Sequence, residues 1–391
     1  MIYLDNAATT FPKPRAVCDE VYRCMTRYCG NPGRGSHSLS LAAAEKIFEC
    51  RNQLAGLFGS DDPGRIIFTQ NATYSLNLVI KGLLRHGDHV IISDMEHNAV
   101  YRPVYRLASD GVISFDVFSS MINDPRRSPT RICARIARLV RPNTRMVICV
   151  QSSNICSASL PIAEIGSFCR NHNLLFVVDG SQSAGLLEAD ITKMNIDAYC
   201  APGHKGLYGT QGCGFAVLGE RISPDTFAEG GSGMNSLDGN MPDEPPERYE
   251  AGTLPTPAVA GLCEGIKFVR SIGIETLRHN EEKLYCRARE MLGNIEGVSL
   301  YAPQYTGSTL LFNIDGISSD ITAQALDSYG ICTRGGYHCS ALGHKTLGTP
   351  PGGAVRISFG AFNREYNTDY LCSAIRQIKS ECAKDRKQND S

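Results

Sequence analysis

A lysine bracketed by tight turns is the first residue that could do chemistry. Ala201-Pro202-Gly203-His204-Lys205-Gly206 follows a strand-like run, Asp197–Cys200, and precedes the glycine-rich Tyr208-Gly209-Thr210-Gln211-Gly212. An amine held at a strand end can condense with a carbonyl cofactor as a Schiff base. For a lone lysine, a solvated loop position is the ordinary reading. The apolar run Leu174–Val178 changes it, because that run delivers Asp179 to its carboxyl end, with Gln182 three residues on. A carboxylate there can keep a pyridine nitrogen protonated. The ring then acts as an electron sink, which is what pyridoxal phosphate (PLP) chemistry requires. Asp179 alone also reads as a helix N-cap. Asp179 followed, after the next strand, by a Gly-His-Lys turn is more specific than either residue.

Three further groups lie at turns or strand ends, and a fourth lies within a strand-like run. His97, in Asp94-Met95-Glu96-His97-Asn98, can stack on an aromatic ring, although a lone histidine is usually structural. Thr69-Gln70-Asn71-Ala72-Thr73 runs from a strand into a helix. Its backbone N–H groups and the Thr73 hydroxyl would suit a phosphate, or would merely cap the helix. In Thr333-Arg334-Gly335-Gly336-Tyr337-His338-Cys339-Ser340, two glycines shape a mobile turn. Arg334 and His338 are the positive groups expected to favour the Cys339 thiolate. Arg356 sits inside the strand-like Ala354–Phe359 and needs an anionic partner, either a substrate carboxylate or an internal acid.

These residues need a scaffold, and the hydrophobic pattern supplies one. Apolar runs at Arg65–Thr69, His89–Ser93, Met146–Gln151, Leu174–Asp179 and Gly214–Leu218 predict strands. Between them, Thr73–Leu84, Ala99–Leu107, Arg131–Val140 and Ile162–Asn171 predict helices. Such alternation implies an α/β fold with a mainly parallel sheet, whose ligands bind beyond the carboxyl ends of the strands. Glu229–Pro257 is rich in Gly and Pro and reads as a long loop of the lid or interface-arm kind. Helices over Ala258–Ser271 and Ile274–Gly293, strands at Thr309–Ile314 and Ala354–Phe359, and a helix at Ile321–Tyr329 then suggest a smaller α+β domain. The expected division is 16–257 and 258–391, with residues 1–15 packing at the site. The polar tail Lys384–Ser391 is expected to fray.

Composition narrows the function classes. A chain of 391 residues with a net charge of −1 has no basic excess of the kind a nucleic-acid binder shows. No apolar run approaches the roughly 20 residues of a membrane helix. No basic-then-apolar leader opens the sequence, so the expectation is a soluble cytoplasmic protein. The 16 cysteines fall singly, without a Cys-x-x-Cys pair, so no metal site is indicated and most should be small buried hydrophobes.

Taken together, the motifs resemble a cysteine desulfurase of the PLP-dependent class V aminotransferase superfamily. The likeness runs from Tyr3-Leu4-Asp5-Asn6-Ala7-Ala8-Thr9 to Val355-Arg356-Ile357-Ser358, and is nearest the second desulfurase subgroup and the selenocysteine lyases. It implies fold type I and a homodimer with a shared active site. Lys205 would carry PLP covalently and His97 would stack on the ring. Asp179 would pair with the ring nitrogen and Gln182 with the ring hydroxyl. Thr73, His204 and, from a neighbouring subunit, Thr253 would hold the phosphate. Asn154 and Arg356, with Arg334 beside them, would bind the substrate carboxylate. Cys339, in Arg334-x-Gly336-x-His338-Cys339, would accept sulfur from L-cysteine and pass it to a sulfur-acceptor protein or a reductant.

Three positions depart from that pattern. Ala72-Thr73 stands where Thr-Thr is usual. Pro202 replaces a Ser before Gly-His-Lys, with Gly206 inserted after it. Cys339-Ser340 stands for Cys-Ala. Selenocysteine lysis, another C–S lysis, transamination or a catalytically silent scaffold are the alternatives.

Overall fold

A computed structural model describes residues 1–33 and 35–389, with side chains described through Cys382. In chain order, β1 (Ile2–Tyr3), α1 (Arg15–Arg27) and α2 (Ser38–Phe58) lead into β2 (Ile66–Thr69) and α3 (Ala72–Leu83). There follow β3 (His89–Ser93), α4 (Asn98–Ser109), β4 (Ser114–Phe118), α5 (Pro129–Ala137), β5 (Thr144–Val150) and α6 (Ile162–Asn171). Then come β6 (Leu175–Asp179), β7 (Ala198–Pro202), β8 (Gly214–Leu218), α7 (Thr256–Ile272) and α8 (Ile274–Gly293). The chain closes with β9 (Val298–Tyr301), β10 (Thr309–Ile314), α9 (Ser319–Ser328), β11 (Ile331–Cys332), α10 (Ala341–Leu347), β12 (Val355–Ser358) and α11 (Glu365–Asn389).

Two compact units emerge, one of residues 13–152 and 159–274, the other of 1–12, 153–158 and 275–391. The helix expected to open the small domain, α7, belongs to the larger unit, where it packs on α1 and α2. Of the tail expected to fray, the backbone is helical to Asn389, and residues 390–391 lie outside the described residues. Among the described residues no helix is long and apolar enough to cross a membrane.

The larger unit holds a seven-stranded sheet in the order β2-β8-β7-β6-β5-β3-β4. All neighbours are parallel except β8, which runs antiparallel to both β2 and β7. The expectation of a mainly parallel α/β sheet is met. Central strands such as Leu175–Asp179 and Gly214–Leu218 are buried at every position. Both sheet faces are covered, and that is why these strands read as unbroken apolar runs rather than alternating ones. Phe58 at the end of α2 packs against Tyr199 (ring centroids 4.7 Å apart) and Phe215 (5.4 Å), joining helix and sheet in one core.

In the smaller unit, β10 lies between β12 and β9 in an antiparallel sheet, and β1 pairs in parallel with β11. Its core gathers Leu4, Tyr285, Phe312, Leu326, Ile357 and Ile375. The segment 153–158 joins this unit through Ser157, whose hydroxyl donates to the Thr309 carbonyl (2.8 Å) and accepts from the Thr309 amide (3.1 Å).

Candidate active site

The large sheet gathers one set of groups at its carboxyl edge. Thr69, Ser93, Asp179 and Pro202 end four strands that run in the same direction, and Thr73, His97, Gln182 and Lys205 lie within a few residues of those ends. Asp179 is 1% exposed and pairs in register with Cys200 of β7, the strand that leads into Gly203-His204-Lys205. Its Oδ1 accepts from the Ser181 amide at 2.9 Å. Gly180 is required here, since a Cβ would lie 2.1 Å from the Tyr199 ring. Under this turn, the Ser183 hydroxyl donates to Gln151 Oε1 (2.6 Å) and contacts the Tyr199 hydroxyl (3.0 Å). That buried network fixes the backbone carrying Asp179.

His97 caps α4 through Nδ1, which accepts from the Ala99 amide at 3.0 Å. The neutral ring therefore carries its proton on Nε2. Asn71 caps α3, accepting from the Tyr74 amide, and places the exposed Thr73 in the helix's first turn. His204 is half-buried, and burial, together with the charges of Lys205 and Lys13, lowers its pKa to about 4. It is a neutral neighbour of Lys205 at physiological pH. Thr253 is exposed in the same unit. A buried carboxylate, an amine, an imidazole of fixed tautomer and a helix N-terminus with a hydroxyl form a donor set that fits PLP.

Two residues of this edge were missed in the sequence. Glu96, next to His97, is 1% exposed; its Oε1 accepts from the Val150 amide (2.9 Å) and from the Ser93 hydroxyl. It ties the end of β3 to the end of β5, beside Asp179. Burial, helped by the nearby Asp179, raises its pKa to about 8, so it is mainly protonated at neutral pH. Lys13 donates from Nζ to the His204 carbonyl at 2.8 Å. No local signal marked either residue, because each works through a backbone group distant in sequence.

The smaller unit gathers the other set. Arg334 and Arg356 face each other across a backbone bridge, and Asp5 takes both. Arg356 Nη2 donates to Asp5 Oδ1 at 2.7 Å, and Arg334 Nε and Nη2 approach Asp5 Oδ2 at 3.1 Å. Arg356, 3% exposed, thus has the internal acid that its burial demands. It also donates to the Asn154 carbonyl (3.0 Å). Arg356 Nε and Asn154 Oδ1 are buried polar atoms with no hydrogen-bond partner, so both keep bonding capacity.

Cys339 is exposed, and it and His338 both adopt left-handed backbone, at φ 54° and 51°. Two such non-glycine residues in succession are strained and need external support. That support is dense. Asn154 Nδ2 donates to the His338 carbonyl (2.8 Å), and His338 Nε2 donates to the Arg334 carbonyl (3.0 Å). The other ring nitrogen of His338 meets His344, which in turn meets Thr349. Gly353 allows the turn to close, as a Cβ there would lie 2.2 Å from the Gly336 carbonyl oxygen. The loop expected to be mobile is therefore pinned at several points. Burial first, then the Arg356 charge, lowers the His338 pKa to about 3. His338 is thus neutral and is no cation beside the thiol, unlike the expectation from sequence. Nine of the 16 cysteines are buried, in line with a packing role for most.

Known proteins supply an independent comparison. Residues 2–371 match the aminotransferase class-V family. A probable cysteine desulfurase of Methanothermobacter thermautotrophicus is 31% identical, covering 96% of this chain and 94% of its own. The cysteine desulfurase of Serratia proteamaculans is 28% identical over 97% and 93%. Among solved structures, the apo cysteine desulfurase of Thermococcus onnurineus NA1 superposes with a TM-score of 0.87 at 29% identity, covering 96% and 94%. A cysteine desulfurase of Escherichia coli, in an S-sulfonic acid form, gives 0.86 at 26% identity, covering 97% and 94%. The chain belongs to the class-V aminotransferase family.

Proposed function

We propose that this class-V aminotransferase family member is a PLP-dependent cysteine desulfurase that converts L-cysteine to L-alanine and takes up the sulfur on Cys339. The observation that carries the residue assignment is the register of Asp179 opposite Cys200. It sets a buried carboxylate beside the strand that leads directly into Lys205.

PLP, when bound, withdraws electrons from the substrate's Cα. Lys205 would hold it through its ε-amine and, as a free amine, would move the proton at the substrate's Cα. Asp179 would keep the ring nitrogen protonated, Gln182 would pair with the ring hydroxyl, and His97 would stack on the ring. Thr73 and the first turn of α3, with His204, would hold the phosphate. In the smaller unit, Arg356, Arg334 and Asn154 hold the substrate carboxylate. The Cys339 thiolate attacks the substrate sulfur, and the Cβ–S bond breaks with its electron pair going to carbon. A proton then completes the methyl group of alanine, and Cys339 is left as a persulfide. A dithiol or acceptor protein removes that sulfur.

The same reading includes a homodimer. Leu41, Ala44 and Phe48 share one exposed face of α2, with Leu41 55% and Phe48 59% exposed. Phe48 and Thr253 line a cleft of about 640 Å³ with the Gly231-Ser232-Gly233 turn. An apolar stripe beside an exposed Thr253 suits a second copy whose phosphate that Thr253 would hold.

The test is a pair of variants of the purified protein. Lys205→Ala is expected to lose borohydride-trapped cofactor. Cys339→Ala is expected to keep the cofactor's absorbance and to lose alanine formation from cysteine. A Cys339→Ala protein that desulfurates cysteine at the parental rate overturns the acceptor assignment.

A further inference from the structure

Lys13 brings a second amine to the turn that carries Lys205. It lies between Pro12 and Pro14, just before α1. Its Nζ donates to the carbonyl of His204, the residue peptide-bonded to Lys205, at 2.8 Å. The contact spans 191 positions of sequence, so it is a product of the fold. Lys13 is half-buried and its pKa falls to about 8, chiefly through burial. It still carries its charge for most of the time at neutral pH. Its field reaches this turn, since Lys13 and Lys205 both act on the His204 ring. The titratable groups around the turn include Lys13 with its neighbour Cys18, His204, Lys205 and Tyr208, whose amide donates to the Lys205 carbonyl at 2.8 Å. Asp179 ends the adjacent strand.

A lysine condenses with an aldehyde only as the neutral amine. An ordinary lysine, with a pKa near 10.4, is almost wholly protonated at pH 7. Condensation therefore gains from a second positive charge close by, which disfavours protonation of the reacting amine. Fixing the peptide that carries that amine also limits its search for the aldehyde.

We propose that Lys13 is a positioning residue for cofactor attachment, pinning the His204–Lys205 peptide and holding a second positive charge that keeps the Lys205 amine neutral enough to react. The inference rests on Lys205 being the cofactor-bearing lysine.

The experiment strips the full-length protein of cofactor with a hydroxylamine, adds PLP back, and traps the linkage with borohydride at intervals. Trapping rates are measured from about pH 6 to about pH 9 in the parent and in Lys13→Arg, Lys13→Gln and Lys13→Met. Arginine keeps the charge and the donor, glutamine keeps only a donor, and methionine keeps neither. Glutamine and methionine are each expected to slow trapping roughly tenfold at about pH 7 and to approach the parent at about pH 9, as for a one-unit rise in the amine's pKa. Arginine is expected to stay within about twofold of the parent. Rates for Lys13→Gln and Lys13→Met that match the parent at every pH overturn the proposal, and so does a loss of equal size at every pH. If the parent traps no cofactor on Lys205, the assignment of Lys205 fails instead. Circular dichroism of each variant keeps a folding defect separate from both outcomes.

Discussion

His338 Nδ1 lies 3.1 Å from His344 Nε2, and the two rings stand nearly parallel, 14° apart with centroids at 5.3 Å. The outer bonds fix every proton in this pair. The Arg334 carbonyl can only accept, so His338 Nε2 carries a hydrogen and Nδ1 accepts one from His344. His344 Nδ1 then accepts from the Thr349 hydroxyl at 2.9 Å. One proton arrangement satisfies the whole chain, and it anchors the residue that precedes Cys339.

His344→Phe removes the donor to His338 and leaves a buried acceptor without a partner. The expected cost is about 1–3 kcal/mol of stability, with slower alanine formation and unchanged cofactor absorbance. Thermal unfolding and an alanine assay read the two effects.

The pair also sets an acid limit. Burial, followed by the charge of Arg356, lowers His338 to about 3 and His344 to about 4, against an ordinary 6.5. The unfolded chain therefore binds more protons in this interval. Stability is fully present above about pH 6.5 and declines as pH falls toward about 4. Unfolding midpoints over this window are expected to fall less steeply in His344→Phe than in the parent.

Glu96 carries the opposite sign. Its pKa rises from about 4.5 to about 8, chiefly through burial, so the folded state holds a proton that the unfolded chain has lost. Its contribution is present below pH 4.5 and declines as pH rises through about 8. Glu96→Gln mimics the protonated acid and is expected to flatten the loss of stability between about pH 5 and pH 8. An unchanged slope in denaturant titrations at several pH values contradicts the neutral form.

Arg51 and Glu250 form a buried ion pair three residues before Thr253. Glu250 also accepts from the Phe68 amide at 2.6 Å, and the Arg51 guanidinium sits 4.7 Å from the Phe68 ring centroid. Removing one partner strands the other charge, so Arg51→Met is expected to cost about 3–5 kcal/mol. Arg51→Met/Glu250→Gln is expected to recover part of that loss. Denaturant unfolding of the two variants measures the difference.

Phe48→Glu places a charge in the middle of the exposed α2 stripe, where Phe48 is 59% exposed. It is expected to shift the protein from dimer to monomer in analytical ultracentrifugation, with little change in monomer stability. A parent that sediments as a monomer contradicts the dimer.

Much of the large sheet was legible because its strands are buried on both faces. His89–Ser93, Gly214–Leu218 and the small unit's Thr309–Ile314 match the observed strands residue for residue. Strand β4, Ser114–Phe118, escaped because it is a sheet edge, with only Phe118 fully buried and no apolar run to betray it. Helices α1 and α2 were also passed over; α2 presents apolar residues on both its buried and exposed sides, so its pattern has no clean stripe. Asp179 and Lys205 were visible because each follows a strand. Asp5 and His344 were not, since their roles arise from contacts with Arg356 and His338 made only in the fold. The charge expected on His338 failed for a related reason, as burial is a tertiary property.

The pairing of Ile2–Tyr3 with Ile331–Cys332 has a consequence for biosynthesis. The first of these segments is synthesised long before the second, with most of the large unit between them in sequence. The unit they share also draws in residues 153–158 and everything beyond 274. Its earliest strand must therefore wait, unpaired, until Ile331–Cys332 has been made, while the large sheet, complete by Leu218, is free to form first. The nascent chain is then expected to complete the sheet that bears Asp179 and leads into Lys205 before the unit that bears Cys339 can close.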